Sequence, residues 1–482
     1  MLSYLYDSVS GFRKVFSRQR TWLIFVMVIL GFLGSSEMIG VSSLCRFWLM
    51  ENQGYHVMLH FFRSTAWDLN ALLEHWALWI VSQQHSILSQ NRLVTLGDHT
   101  YVPKEGRRMP GVVTLRQDSE TQSKPSYFKG QCWGALALAI GSFSNPFALP
   151  LNLRLHQGFA HLAQDEKSFL TMGEQMVMMA IKFSLQTNHG IVLVLDAYFS
   201  VGTVFRLAQA TYLMSIKSPA VEIITKAKKN YVAYFQADPA QYPGIGRPSE
   251  YGEQIHLMEV FDHLYLFQEV SARIYGRMEK ISLLHLNLMW KPTHGLICFV
   301  FAKTSRGPIV LMCSNLEQDP VAAIELYCMR TRIETMFEML KHVLHIFQCH
   351  FWSKSMPKHS RKPKSNKTLQ SPQPVGVKTV QACWSATERF VNIGAIALGL
   401  LQLIALTFSS EIWNKFDAFL RTRSRDIPSE RTTKMVIANL LIRDFLNLAP
   451  TAIMREIRTK IIKGIVEKKL AGFGQCREQQ AA

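Results

Sequence analysis

The chain has 482 residues, enough for roughly two to four domains of ordinary size. With 48% hydrophobic and 11% aromatic residues it holds ample core material, which excludes an intrinsically disordered chain. Its 53 Lys and Arg outnumber 35 Asp and Glu, and the formal charge of +18 favours a polyanionic partner, either nucleic acid or an anionic membrane surface. Eight scattered cysteines, none at CxxC spacing, argue against a zinc ribbon or a disulfide framework and suit a reducing compartment.

Residues 1 to about 90 read as helical, with apolar positions at three- and four-residue spacing through Leu69, Leu72, Leu73, Trp76, Trp79 and Ile80. Within them, Trp22 to Gly34 is an apolar run of 13 residues after a basic stretch, which imitates a signal peptide or an anchor. It falls short of the roughly 20 residues that span a bilayer, as does Ile393 to Phe408, and both are expected to be buried core helices. A basic membrane protein anchored by 22–40 and 393–408 is the rival reading. Leu93 to Asp98 is expected to be a strand closed by its acid, and Tyr101 to Gly111, rich in Pro, Gly and basic residues, a turn or hairpin. A helical segment contains Lys167 to Leu185. Gly190 to Asp196 is a short β-branched strand, opened by Asn188-His-Gly and again closed by an acid. From about 215 to 315 the pattern stays β-like with regular turn residues, and from Pro320 to about His350 it is helical. Residues 353–378 carry seven Lys or Arg and no acid, as an extended basic linker would. Thr379 onward is helical.

Three carboxylates stand where a site would want them. Asp98 and Asp196 end apolar strands, where a charge is costly without a partner, and a bound cation is one such partner. Glu334 lies on a predicted helix whose Tyr327, Arg330, Glu334 and Lys341 are spaced by three, four and seven, which brings an acid, two cations and a phenol to one face. A phosphodiester site needs such a set: an acid to share metal, and bases to hold non-bridging oxygens. Taken singly, the helix charges could be i,i+4 pairs on a solvated face, Asp98 a turn residue and Asp196 a helix cap. His342, His345, Cys349 and His350 have spacings that could ligate zinc but need not share a helix face.

The arrangement resembles the DDE transposases of bacterial insertion sequences, in the group marked by Tyr, two residues, Arg, three residues, Glu, six residues, Lys. Tyr327, Arg330, Glu334 and Lys341 match that pattern without a gap. Gly97-Asp98-His99-Thr100, with Lys104, Gly106 and Pro110, is similar to the group's first-acid segment. Asp118-Ser-Glu to Tyr127, Gly130 and Trp133 resembles the stretch that follows, and Leu193-Val-Leu-Asp196-Ala-Tyr198-Phe199 the second-acid strand. The resemblance covers about 92 to 350. It departs at Gly97, where many relatives have a second Asp, and at Gln131, where many have His.

The resemblance implies an α/β RNase H-like catalytic core interrupted by a β-rich insertion and flanked by helical regions. On that reading residues 1–91 form a helical region that binds DNA ends; 92–214 and 314–410 form the core; 215–313 are the insertion; 353–378 are the basic linker within the core's second half; and 411–482 serve dimerisation or DNA contact. Asp98, Asp196 and Glu334 would be both the catalytic acids and the ligands of two Mg²⁺ ions, with Mn²⁺ able to substitute. One metal would activate water or a 3′ hydroxyl and the other stabilise the leaving oxygen, so that no covalent enzyme intermediate is needed. Tyr327, Arg330 and Lys341 would grip phosphates, Lys226 and Lys228 would face DNA from the insertion, and Trp290 could stack on an unpaired base unless it is a core aromatic. The implied protein is a bacterial, cytoplasmic, nucleoid-associated transposase. It would act as a homodimer on terminal inverted repeats and target DNA, with no membrane role. A DNA-binding derivative that keeps the fold and has lost the chemistry is the second reading.

Overall fold

A computed structural model of the chain describes residues 1–37, 40–116, 127–156, 170–238, 249–354, 356, 358, 377–420, 422–423, 425–447 and 449–459. The Asp118-Ser-Glu stretch, most of the basic linker and the end of the C-terminal region lie outside the described residues. The protein is mixed α/β, with a large mixed sheet and helices on either side of it in sequence. It divides into two compact units, Met1–His75 with Val102–Gln131 and Glu338–Ala482, and Trp76–Tyr101 with Cys132–Phe337. The first unit therefore gathers helices from both ends of the sequence.

In that first unit the two apolar segments are core helices. Gln19–Gly34 buries twelve of its sixteen residues and packs on Val377–Thr407 and Glu430–Leu446. Gly31 and Gly34 face Leu44 and Phe47 so closely that a Cβ would fall 2.5 and 2.4 Å from them, so the small residues set the approach. Lys378–Thr407 is long and apolar enough to cross a membrane, but 89% of its apolar window is buried inside the protein, which fits a core helix. Two of its polar residues bond within the protein: the Arg389 guanidinium donates to the Phe62, Ser64 and Trp67 carbonyls, and the Gln402 amide to Glu430 at 3.0 Å.

The second unit carries most of the sheet. Its first five long strands are β1 (Arg92–Pro103), β2 (Tyr127–Gly141, from Cys132 on), β3 (Pro146–Leu155), β4 (Ile191–Leu195) and β5 (Val221–Lys226). Hydrogen-bonded neighbours run β3-β2-β1-β4-β5. β2 and β3 form an antiparallel pair, whereas β1, β4 and β5 are parallel, with Leu96 opposite Val194 and Leu195 opposite Thr225. All five residues of β4 are 0% exposed, as a parallel strand covered on both faces requires. Helices α1 (Met172–Thr187) and α2 (Gly202–Ala210) supply the crossovers on either side of β4. Thr171 opens α1 with a reciprocal capping box to Glu174.

At the amino ends of the parallel strands, Arg92 Nε meets Glu222 Oε1 at 2.7 Å, with both side chains almost fully buried. Gly190 makes room for this ion pair, since a Cβ there would lie 2.8 Å from the Arg92 guanidinium. Beyond β5 the sheet continues through antiparallel strands β6 (Val232–Gln236), β7 (Tyr251–His256), β8 (Gln268–Ile274), β9 (Arg277–Trp290), β10 (Gly295–Thr304) and β11 (Gly307–Cys313), and β11 pairs back on β5.

Two local expectations are corrected. β1 does not stop at Asp98: burial alternates on through Thr100, Tyr101, Val102 and Pro103, so period two persists and the acid sits inside the strand. The expected single helix from Tyr327 to Lys341 is two, α3 (Pro320–Met329) and α4 (Thr331–His342). At the junction Arg330 N bonds to the Tyr327 carbonyl (3.1 Å) and Ile333 N to the Arg330 carbonyl (3.0 Å). These tighter i→i−3 contacts leave Arg330 at the break.

Candidate active site

The parallel register brings the two aspartates to one level. Extending the pairing of Leu96 with Val194 by two residues sets Asp98 beside Asp196, and extending Leu195 with Thr225 by one sets Asp196 beside Lys226. Neighbouring strands lie about 4.8 Å apart, so Asp98 within β1, Asp196 just past β4 and Lys226 at the end of β5 offer two acids and a base in one row. The Thr225 hydroxyl donates to the Asp196 carbonyl at 2.7 Å, fixing the turn into the short helix Ala197–Phe199.

Arg330 joins the helical acid to this row. Its Nη1 donates to Asp98 Oδ2 at 3.0 Å and its Nη2 to Glu334 Oε1 at 3.1 Å. The Arg330 side chain is 12% exposed, against 21% for Asp98 and 59% for Glu334, so the guanidinium lies under a carboxylate that reaches solvent. Burial opposes its charge, but Asp196, Asp98, Tyr327 and Glu334 together outweigh burial and hold it cationic. Asp98 is pushed up to about 6, chiefly by burial; Arg330 and the His99 amide oppose this, while Asp196 and Glu334 add to it. The Tyr327 phenol is buried beneath Arg330, whose guanidinium carbon is 5.9 Å from the ring centre, and burial and Asp196 push its pKa up. Lys341 occupies the last turn of α4, half-buried and with its pKa lowered by burial.

The other expected contacts divide. Lys226 joins the aspartate row, and Lys228 is exposed, 5.9 Å from the Tyr231 ring. Trp290 is a core aromatic: it is 3% exposed and packs on Phe205 at 5.6 Å and Tyr231 at 5.7 Å, which leaves no open face for a base. Both positions that depart from the resembled pattern are enclosed. A Cβ on Gly97 would meet the end of the Leu195 side chain at 2.7 Å, so a larger residue there would require Leu195 to shift, and Gln131 is buried with its amide on the Pro110 carbonyl at 2.7 Å. Lys104, from the Lys-x-Gly segment, is buried and donates to the Phe347 and Cys349 carbonyls. That tie explains the lysine structurally.

Two residues beside the acids carried no separate expectation. His99 stacks on Phe199 with ring centres 5.1 Å apart, and its Nδ1 has no hydrogen-bond partner among the described residues. Burial, aided by His156, lowers its pKa to about 4, so the ring is neutral near pH 7. Tyr198 is 58% exposed, two residues past Asp196 and 6.3 Å from the His99 ring. Their adjacency to the two aspartates was the available signal.

The donor set of Asp98, Asp196 and Glu334 is all carboxylate oxygen, suited to a hard divalent cation such as Mg²⁺. The mutual charge that helps to raise Asp98 is what such a cation would relieve. As they stand, among the described residues, no three His, Cys, Asp or Glu side chains are gathered closely enough to enclose a metal, and that includes the His342 to His350 group. Between Asp98 and Glu334 lies the Arg330 guanidinium instead. No protein-family model matches the chain, and no curated protein is similar to it.

Proposed function

We propose that the protein is a metal-dependent DNA transposase of the DDE type, with an RNase H-like core formed by β1 to β5 and the helices packed on it. The observation that supports this best is the Arg330 bridge, which ties Asp98 on a strand to Glu334 on a helix while Asp196 stands level with Asp98. A two-metal site for phosphodiester chemistry is built from acids that converge from separate elements, and Arg330 is what draws Asp98 and Glu334 together here. Two Mg²⁺ ions, when bound, would supply nucleophile activation and stabilisation of the leaving oxygen.

The chain's own residues then have distinct tasks. Asp98 and Asp196 present oxygens from a rigid sheet, and Glu334 presents its own from an exposed helix position that can adjust. Arg330 and Lys226 place positive charge beside the acids, where the non-bridging oxygens of a DNA phosphate would lie. Lys228 extends that charge over the surface, and the net charge of +18 favours DNA over a neutral substrate.

The test is strand cleavage of DNA that carries the sequences flanking this reading frame, with Mg²⁺ or Mn²⁺ present. Asp98→Asn, Asp196→Asn and Glu334→Gln should each lower cleavage by at least about a hundredfold, the scale at which single essential groups act, with DNA binding retained. Cleavage that survives in Glu334→Gln would remove the assignment.

A further inference from the structure

Away from the carboxylates, the first unit holds a cavity of about 680 Å³ between the end of Gln19–Gly34, the segment after α4 and the helix Glu430–Leu446. Its walls are cationic: Arg46, His342, His345, Arg431 and Lys434, against Glu37 and Asp417. Glu37 is already paired with Arg46 at 3.3 Å. Apart from the Arg46–Glu37 pair, Arg431, Lys434 and two imidazoles thus face one further acid, Asp417.

Lys434 is the telling member. It is 8% exposed, and among the described residues its ammonium, with three protons to donate, meets one acceptor, the Val343 carbonyl at 2.7 Å. A buried ammonium without a carboxylate is costly, and Lys434 answers with a pKa lowered by burial to about 8. His345, half-buried, is lowered by burial and by the positive charges of Lys434, His342 and Arg431. Lys104, likewise buried, gives its ammonium two backbone carbonyls, whereas Lys434 gives its ammonium one, and a lysine head with so few partners ordinarily extends into water. Here the head is retained in the wall of a cavity large enough for a ligand, whose lining also includes the apolar Phe47, Met435 and Ile442.

We propose that this cavity binds a phosphate group, with Lys434 and Arg431 as its main contacts and His342 and His345 at the rim. The phosphate could belong to a small phosphorylated molecule or to a DNA backbone. The inference does not rest on the transposase reading, because the site lies in another unit and its test reads binding, not cleavage.

Isothermal titration of the full chain with pyrophosphate and with AMP, at fixed ionic strength, tests it. Saturable binding at one site is expected, weakened at least tenfold by Arg431→Ala and by Lys434→Gln, and unchanged by Lys280→Gln, an exposed lysine of the other unit. Should Lys434→Gln fail to fold, Arg431→Ala, at an exposed position, decides alone. Competition separates the sources: displacement of pyrophosphate by a short duplex assigns the pocket to DNA phosphate, and failure to displace it assigns it to a small ligand. Absence of saturable binding up to millimolar ligand, or equal affinity in wild type and Arg431→Ala, overturns the proposal.

Discussion

Asp98 carries its charge against burial, because desolvation outweighs the help it receives from Arg330 and the His99 amide. The sign of the consequence follows from the direction of the shift. A carboxyl raised to about 6 in the folded chain adds stability below its unfolded pKa, and that contribution is lost as pH rises through 6. Asp98→Asn removes the term. Urea unfolding in EDTA should therefore show the variant gaining on wild type between pH 4 and pH 7, by at most roughly 3 kcal/mol at 1.36 kcal/mol per unit. A difference that does not change with pH would show that Asp98 ionises normally. The same carboxyl must lose its proton to bind a cation, so Mn²⁺ affinity should fall as pH drops below 6. Asp98 and Asp196 were legible as acids closing apolar runs, and Glu334 through its helical spacing with Tyr327, Arg330 and Lys341. Arg330 was legible only as a member of a spacing; its bridging contact depends on a strand more than two hundred residues earlier. Trp290 was ambiguous for a plain reason: an aromatic on an alternating strand reads the same whether its face is open or packed on Phe205 and Tyr231.

The elements place these residues through two supports that single substitutions can test. Arg92 and Glu222 tie β1 to β5 across β4 at the end of the sheet opposite the acids. Replacing one partner strands a buried charge, so Arg92→Met should cost about 3–5 kcal/mol, and Arg92→Met with Glu222→Leu should recover much of it. Thermal unfolding of wild type, Arg92→Met, Glu222→Leu and the double variant checks the pair, and full additivity of the two single losses would deny it. Thr171 holds the start of α1, and Thr171→Ala should cost about 1 kcal/mol while Thr171→Ser costs less. The parallel strand β4 and the helices were legible from sequence because each is set by local pattern: five consecutive β-branched or Leu residues, or apolar spacing with a cap. The continuation of β1 past Asp98 was not, because Pro103 and the basic residues after Tyr101 look like a turn, while the strand's partners are distant in sequence. The break between α3 and α4 was also hidden, since Arg330 keeps helical dihedrals and only its hydrogen bonds change.

At the scale of the whole molecule, two features of the sequence that pointed to a membrane resolve differently. The long apolar helix is 89% buried within its apolar window, and the surplus charge is left to account for a polyanion. If DNA is that partner, affinity should fall steeply with salt, by about 10³ or more between 50 and 200 mM for six or more phosphate contacts. A flat salt response would point away from DNA. The gathering of both ends of the sequence into one unit was not visible beforehand, because no local pattern records that Gln19–Gly34 packs on Val377–Thr407. The central claim is that Asp98, Asp196 and Glu334 act together on a phosphodiester, and one measurement tests it most directly: Mg²⁺-dependent cleavage of the flanking DNA by wild type and Glu334→Gln, with binding followed in the same samples. The account predicts cleavage by wild type, loss of at least about a hundredfold in the variant, and equal binding by both. Equal cleavage by both proteins, or none by wild type while it binds the DNA in Mg²⁺, would contradict it.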